Sequence, residues 1–240
     1  MIPLRDANPT RRTPVVTVGL IVLCVVAFVI ELGVLATDGS SGLTAFVVEH
    51  GVVPAELMGA VSGSGTPIGE AADIVTSMFL HAGWLHLAGN MLYLWIFGNN
   101  IEDRLGRLGF AAFYLAGGVA AALAQVAVDP RSEVPLVGAS GAIAAILGAY
   151  LVLFPRARIL SLVFLGFFYQ LIAVPAVLVL GFWFILQVID GVTSLGADTA
   201  EGGVAFFAHI GGFALGLVLG ALIRRRGRLR GELGAGPGMG

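Results

Sequence analysis

The stretch Val204-Ala205-Phe206-Phe207-Ala208-His209-Ile210-Gly211-Gly212-Phe213-Ala214-Leu215-Gly216-Leu217-Val218-Leu219-Gly220-Ala221-Leu222-Ile223 contains one ionisable side chain, His209, and ends at Arg224-Arg225-Arg226. About 20 apolar residues are what an α-helix needs to cross a bilayer. Arginines directly after such a run mark the cytoplasmic side. Gly212, Gly216 and Gly220 recur every four residues, leaving one helix face bare enough for another backbone to touch it. His209 fits this setting poorly. An ionisable group inside a bilayer is costly and by default marks a function.

Five further apolar stretches precede this one: Val15–Ala36, Gly83–Ile101, Phe110–Val128, Ser140–Phe154 and a run from Val174–Pro175 to Ile189. The fourth stops just before Pro155. The fifth starts at a proline, which suits a first helical position. Upstream of it, 157–170 is aromatic-rich and reads as interfacial. The whole chain is 58% hydrophobic and 12% charged, with mean hydropathy +0.95. Soluble domains are nearer half apolar and a quarter charged. The expected fold is therefore an all-α integral membrane protein of six transmembrane helices. Residues 1–14 form a cytoplasmic N-terminus and 15–223 the membrane domain, with 37–73 as its first outer loop. Residues 224–240 form a basic, glycine-rich cytoplasmic tail. A signal-peptide core is about 7–15 residues, so the longer first stretch reads as an uncleaved anchor. Cys24 is the only cysteine, which excludes an intrachain disulfide.

Arginine placement orients the spans. With the N-terminus inside, 12 of the 13 arginines are cytoplasmic and only Arg131 is outside. The reverse orientation inverts the ratio, so the positive-inside rule is decisive, and an odd number of spans would break the alternation. All 13 basic residues are arginine. With abundant Ala, Gly and Val this suggests a GC-rich bacterial genome, hence a bacterial plasma membrane. The basic tail suits a stop-transfer anchor and contact with anionic headgroups. The lipid bilayer is the expected surrounding, no nucleic-acid partner is expected, and oligomeric state is unread.

The polar residues of the spans share a layer. His86 and Asn90 are four apart in span two, on one helix face, with His81 a turn further out. Span four opens on Gly138-Ala139-Ser140-Gly141, and span six carries His209. Spans two, four and six run the same way, from outside to inside, and all four polar residues fall in the outer half. Gly141, Ala145 and Gly148 give span four a small face to meet the glycines of span six.

A serine hydroxyl needs a positioned base to become a nucleophile, and histidine is the usual one. Ser140 and His209 can fill these roles. No carboxylate shares their layer, so a dyad is expected. Asp190, at the outer end of span five, is the one acid that could approach His209 as a third member. His86, Asn90 and the Ser140 backbone N–H are suited to stabilise an oxyanion. Each residue alone also has a packing explanation: a capping or helix-packing serine, or interhelical hydrogen bonds for the others. The shared depth argues against that.

These residues resemble the rhomboid family of intramembrane proteases: His81, His86 and Asn90 in span two, Gly138-Ala139-Ser140-Gly141 in span four, and Ala208-His209 with Gly211-Gly212 and Gly216 in span six. The resemblance covers roughly 74–223. It implies Ser140 as nucleophile, His209 as general base and His86, Asn90 and the Ser140 amide as oxyanion donors. His81, Gly138, Gly141 and Gly212 support them. It implies an outward-open, water-filled cavity and single-span membrane protein substrates cut near the outer boundary, with no metal or cofactor. Two features depart from the pattern. The Trp-Arg pair of many relatives is missing from 37–76. The place four residues after the nucleophile, where some relatives put an aromatic ring supporting the histidine, is Ala144. What orients His209 is therefore open. Competing readings are an inactive rhomboid-like binder of transmembrane clients and a channel or transporter with histidine relays. The first class typically lacks the serine or histidine, and spans two to six lack the buried carboxylates usual in the second. Metal hydrolysis is disfavoured, because His81 and His86 are five apart and no His-Glu-x-x-His motif exists.

Overall fold

The structure, a computed structural model, describes residues 1–63, 67–165, 168–195 and 205–234. Val204, the expected start of the sixth span, lies outside them. So do 64–66 of the first outer loop, 166–167 of the aromatic piece and 235–240 of the tail.

Helix α7 (Ser140–Leu153) is the axis of the bundle, with every residue from Gly141 to Tyr150 buried. A helix apolar all round can only sit inside other protein or lipid. Here it is packed between α6 (Arg107–Val128) and α9 (Phe206–Gly234), with α8 (Ala176–Ser194) beside them. Its 14 residues span about 21 Å at 1.5 Å per residue, less than the ~30 Å of bilayer hydrocarbon. Small residues draw its neighbours in. Gly216 lies against the carbonyl of Ala145, and Gly148 against the carbonyl of Phe213.

Among the described residues, four helices are long and apolar enough to cross a membrane: Val15–His50, Arg107–Val128, Ala176–Ser194 and Phe206–Arg226. Their outward faces carry exposed Val22, Val26, Val29, Phe182, Ile185 and Ile189. With the short buried α7, this makes a multi-pass membrane protein. A further apolar segment is built from α4 (Trp84–Tyr93), a π-helical turn at Leu94–Gly98 and α5 (Asn99–Leu105).

The first helix, α1 (Val15–His50), does not stop at Ala36. It breaks at Gly39, in the left-handed region (φ 72°), and resumes to His50. Helices α2 (Pro54–Val61) and α3 (Pro67–Thr76) follow, so the stretch expected as the first outer loop is largely helical. Composition hides this, because Gly, Ser and acids dominate while the apolar Leu43–Val48 carries the helix.

The expectation of an all-α chain is corrected by a three-stranded antiparallel sheet in the order β1 (Ile2–Asp6), β2 (Arg158–Leu165), β3 (Phe168–Pro175). Leu162 pairs with both Ile2 and Leu171, and Ile159 with both Asp6 and Val174. The aromatic piece is thus a hairpin, as its β-branched and aromatic residues favour. The sheet brings the N-terminal strand to the end of the bundle where the chain leaves α7. There the Asp6 carboxylate accepts hydrogen bonds from Tyr150 Oη at 2.9 Å and Asn100 Nδ2 at 2.6 Å. Glu102 accepts from the amides of Val16 and Thr17 at 3.0 and 2.7 Å, satisfying first-turn donors of α1 that have no partner within the helix.

Candidate active site

Gly138 sets the approach to α7. Its φ of 122° is one that L side chains rarely adopt, and a Cβ there would lie 2.7 Å from His86 Cε1 and 2.8 Å from His86 Nε2. Its N–H donates to the Ser77 carbonyl at 2.8 Å. Only glycine permits both the turn and the proximity of α4. Ser140 then begins α7, half-buried. Its own N–H belongs to the first turn, whose amides have no partner within the helix.

His209 lies in the first turn of α9. Gln125 Oε1 of α6 accepts from the adjacent Ala208 N–H at 3.2 Å, holding that turn. Gly212, three residues on, rests against the Gly141 carbonyl. This backbone contact places His209 Nε2 at 2.8 Å from Ser140 Oγ. On the other side of the ring, Nδ1 is 2.5 Å from Gln187 Oε1 of α8. The Trp183 ring lies 5.8 Å from the imidazole between centroids, tilted by 40°. Gln187, and not Asp190, is therefore at Nδ1.

His86 and Asn90 share the face of α4 that looks towards Gly138. Asn90 is buried, and its Nδ2 has no hydrogen-bond partner among the described residues. A Cβ at Gly138 would lie 3.6 Å from that atom. His86 Nδ1 is 3.4 Å from the Ala82 N–H. His81 is buried with its ring 5.2 Å from that of His86. Its Nδ1 is 2.9 Å from the Phe79 carbonyl, and its backbone N–H donates to both Glu31 carboxylate oxygens at 3.1–3.2 Å. Gly141 has a packing role, since a Cβ there would strike Ala121.

Sequence reasoning missed Gln187, Gln125 and Glu31. All three are strongly polar residues inside apolar runs. The cost argument that singled out the histidines applied to them equally and could have found them.

The fold and site define a multi-pass membrane protein in which a serine and a histidine on adjoining helices share a hydrogen bond. The Rhomboid domain model matches residues 69–226, and the chain belongs to the rhomboid family. It is 31% identical over 157 residues to Rhomboid protein 1, mitochondrial, of Saccharomyces cerevisiae, covering 64% of this chain and 42% of the relative. It is 36% identical over 128 residues to Rhomboid protease GluP of Bacillus subtilis, covering 53% of this chain and 24% of the relative. RHOMBOID-like protein 12, mitochondrial, of Arabidopsis thaliana is 32% identical over 178 residues, covering 68% and 49%. The chain thus spans less than half the length of each of these relatives.

Proposed function

We propose that this chain is an intramembrane serine endopeptidase that cuts single-span membrane proteins near the outer membrane boundary through a Ser140–His209 dyad. The observation that carries the reading is the 2.8 Å contact between His209 Nε2 and Ser140 Oγ. In the first step Nε2 takes the hydroxyl proton as Oγ attacks the scissile carbonyl carbon. The oxyanion accepts hydrogen bonds from the Ser140 N–H, Asn90 Nδ2 and His86. The imidazolium then protonates the leaving amine as the C–N bond breaks, leaving an acyl-enzyme. Water, deprotonated by the same nitrogen, attacks the ester and regenerates Ser140. The unpaired, buried Asn90 Nδ2 supports the donor role. The short α7, with 14 residues against the roughly 20 a full crossing needs, supports a water-accessible depression in the bilayer. A relative named as a protease points the same way.

The chain crosses a bacterial plasma membrane six times, with both ends cytoplasmic and the first outer loop outside. Arginine placement supports this. The β1–β2 pairing agrees with it, because four crossings between those strands return the chain to one side. The test is cleavage of single-span reporters in liposomes by wild type and Ser140→Ala, with fluorophosphonate labelling of the same preparations. Cleavage and labelling by the wild type alone are expected. Undiminished cleavage by pure Ser140→Ala would sink the mechanism.

A further inference from the structure

We infer that Gln187 is the positioning residue of this site: its amide oxygen holds the Nδ1–H of His209 and fixes the tautomer in which Nε2 faces Ser140, an assignment resting on the dyad reading above. A neutral imidazole has one donor and one acceptor nitrogen. Base catalysis at Ser140 requires the acceptor to be Nε2, so the proton must sit on Nδ1. An amide oxygen only accepts, so Gln187 Oε1 at 2.5 Å from Nδ1 selects that tautomer. The reversed amide would place an NH2 against Nδ1, force the ring proton onto Nε2 and leave Ser140 without a base.

The surroundings point to the same role. Ala144 is buried and carries no ring, so α7 supplies no aromatic support. Helix α8 supplies it instead. Trp183 and Gln187 are four apart, hence on one face, and meet the imidazole as a tilted ring and an oxygen at Nδ1. Among the described residues, Ser140 of α7 is the other polar side chain within hydrogen-bond distance of the His209 ring. A half-buried amide in an apolar helix is costly unless satisfied, and His209 satisfies its oxygen. Being neutral, Gln187 does not balance the charge of the imidazolium as a triad carboxylate does, so its contribution is orientation.

The test uses the full chain with a single-span reporter. It measures kcat, KM, Tm and fluorophosphonate labelling for wild type, Gln187→Leu and Gln187→Glu, alongside Ser140→Ala. Gln187→Leu keeps the bulk and removes the acceptor, and kcat is expected to fall about 10- to 100-fold, the scale of a misplaced catalytic group. Labelling should slow in parallel, with KM and Tm little changed. Gln187→Glu retains an acceptor oxygen and should recover most of the rate. Wild-type kcat and labelling in Gln187→Leu, with Ser140→Ala inactive, would overturn the assignment and leave the dyad standing. Equal losses in both Gln187 variants with lowered Tm would also overturn it, making Gln187 packing alone. Cleavage by Ser140→Ala would overturn the assignment and the dyad together.

Discussion

Gly212 of α9 lies directly against the carbonyl oxygen of Gly141 on α7. The first glycine is three residues after His209 and the second directly follows Ser140, so this backbone contact sets the distance between His209 and Ser140. Gly212→Val should separate the two helices, costing about 1–3 kcal/mol as overpacking does, and should abolish cleavage. Gly181→Ala on α8, where a Cβ meets nothing within 4 Å, should leave both unchanged. Melting and reporter cleavage check the pair. A Gly212→Val enzyme with normal turnover would show that the contact does not set the dyad distance.

That contact was partly legible in the sequence, because small residues four apart advertise a face that another backbone can touch. His86, Asn90 and His209 were legible as residues too, since the cost of a strongly polar group in an apolar run marks them, as it marks Gln187. The orientation of His209 was not. Gln187 comes from a helix whose rotation about its axis is fixed only by packing, and an apolar stretch such as Ala176–Ile189 has no amphipathic stripe to reveal it. The sheet was hidden for a different reason. Its β1 strand is five residues long and pairs with a segment more than 150 positions away, a partner no local pattern specifies.

Ser140→Ala and His209→Ala should each remove nearly all activity, and the double variant should be little worse than either. Residues acting in one proton transfer lose their joint effect once, as catalytic serine and histidine do elsewhere. Single-turnover cleavage by the three variants checks this. If the two losses multiplied, Ser140 and His209 would not share a step.

The tie between the N-terminal strand and the bundle should weaken with rising pH. Burial of Asp6 raises its carboxyl above the ordinary value of 3.8, outweighing the Tyr150 and Asn100 hydrogen bonds that lower it. A carboxyl raised in the folded state binds more protons folded than unfolded. Its stabilising contribution is present below 3.8 and declines as pH rises through the folded value. Asp6→Asn keeps an acceptor for Tyr150 and removes the titration. The Tm of Asp6→Asn relative to wild type should therefore increase from pH 3.8 towards neutrality. A difference independent of pH would remove Asp6 from the account.

Reporters check the topology. A fusion after Arg230 should read cytoplasmic and one inserted near Gly63 external. The opposite result at either place would overturn the six-span orientation, and with it the outer location proposed for the Ser140–His209 pair.

Asn90 separates a catalytic donor from helix glue most clearly. It is buried, and its Nδ2 has no partner among the described residues, so that group contributes no hydrogen bond to packing. If Asn90 were only glue, Asn90→Ala should lower stability by roughly 0.6 kcal/mol, the average for interhelical polar contacts in a membrane, with turnover nearly intact. If Nδ2 donates to the oxyanion, turnover should fall by about 10²–10³-fold, the cost of one such donor elsewhere. Compensation by His86 and the Ser140 amide makes that an upper range. Ser140 should still label with fluorophosphonate, more slowly, because the dyad is untouched while the adduct loses a donor. Tm should barely move, since truncation also relieves an unsatisfied buried group. A large loss of turnover at nearly constant Tm is therefore expected for Asn90→Ala, with both measured on one purified preparation. Near-normal turnover with a clearly lowered Tm would leave Asn90 a structural residue.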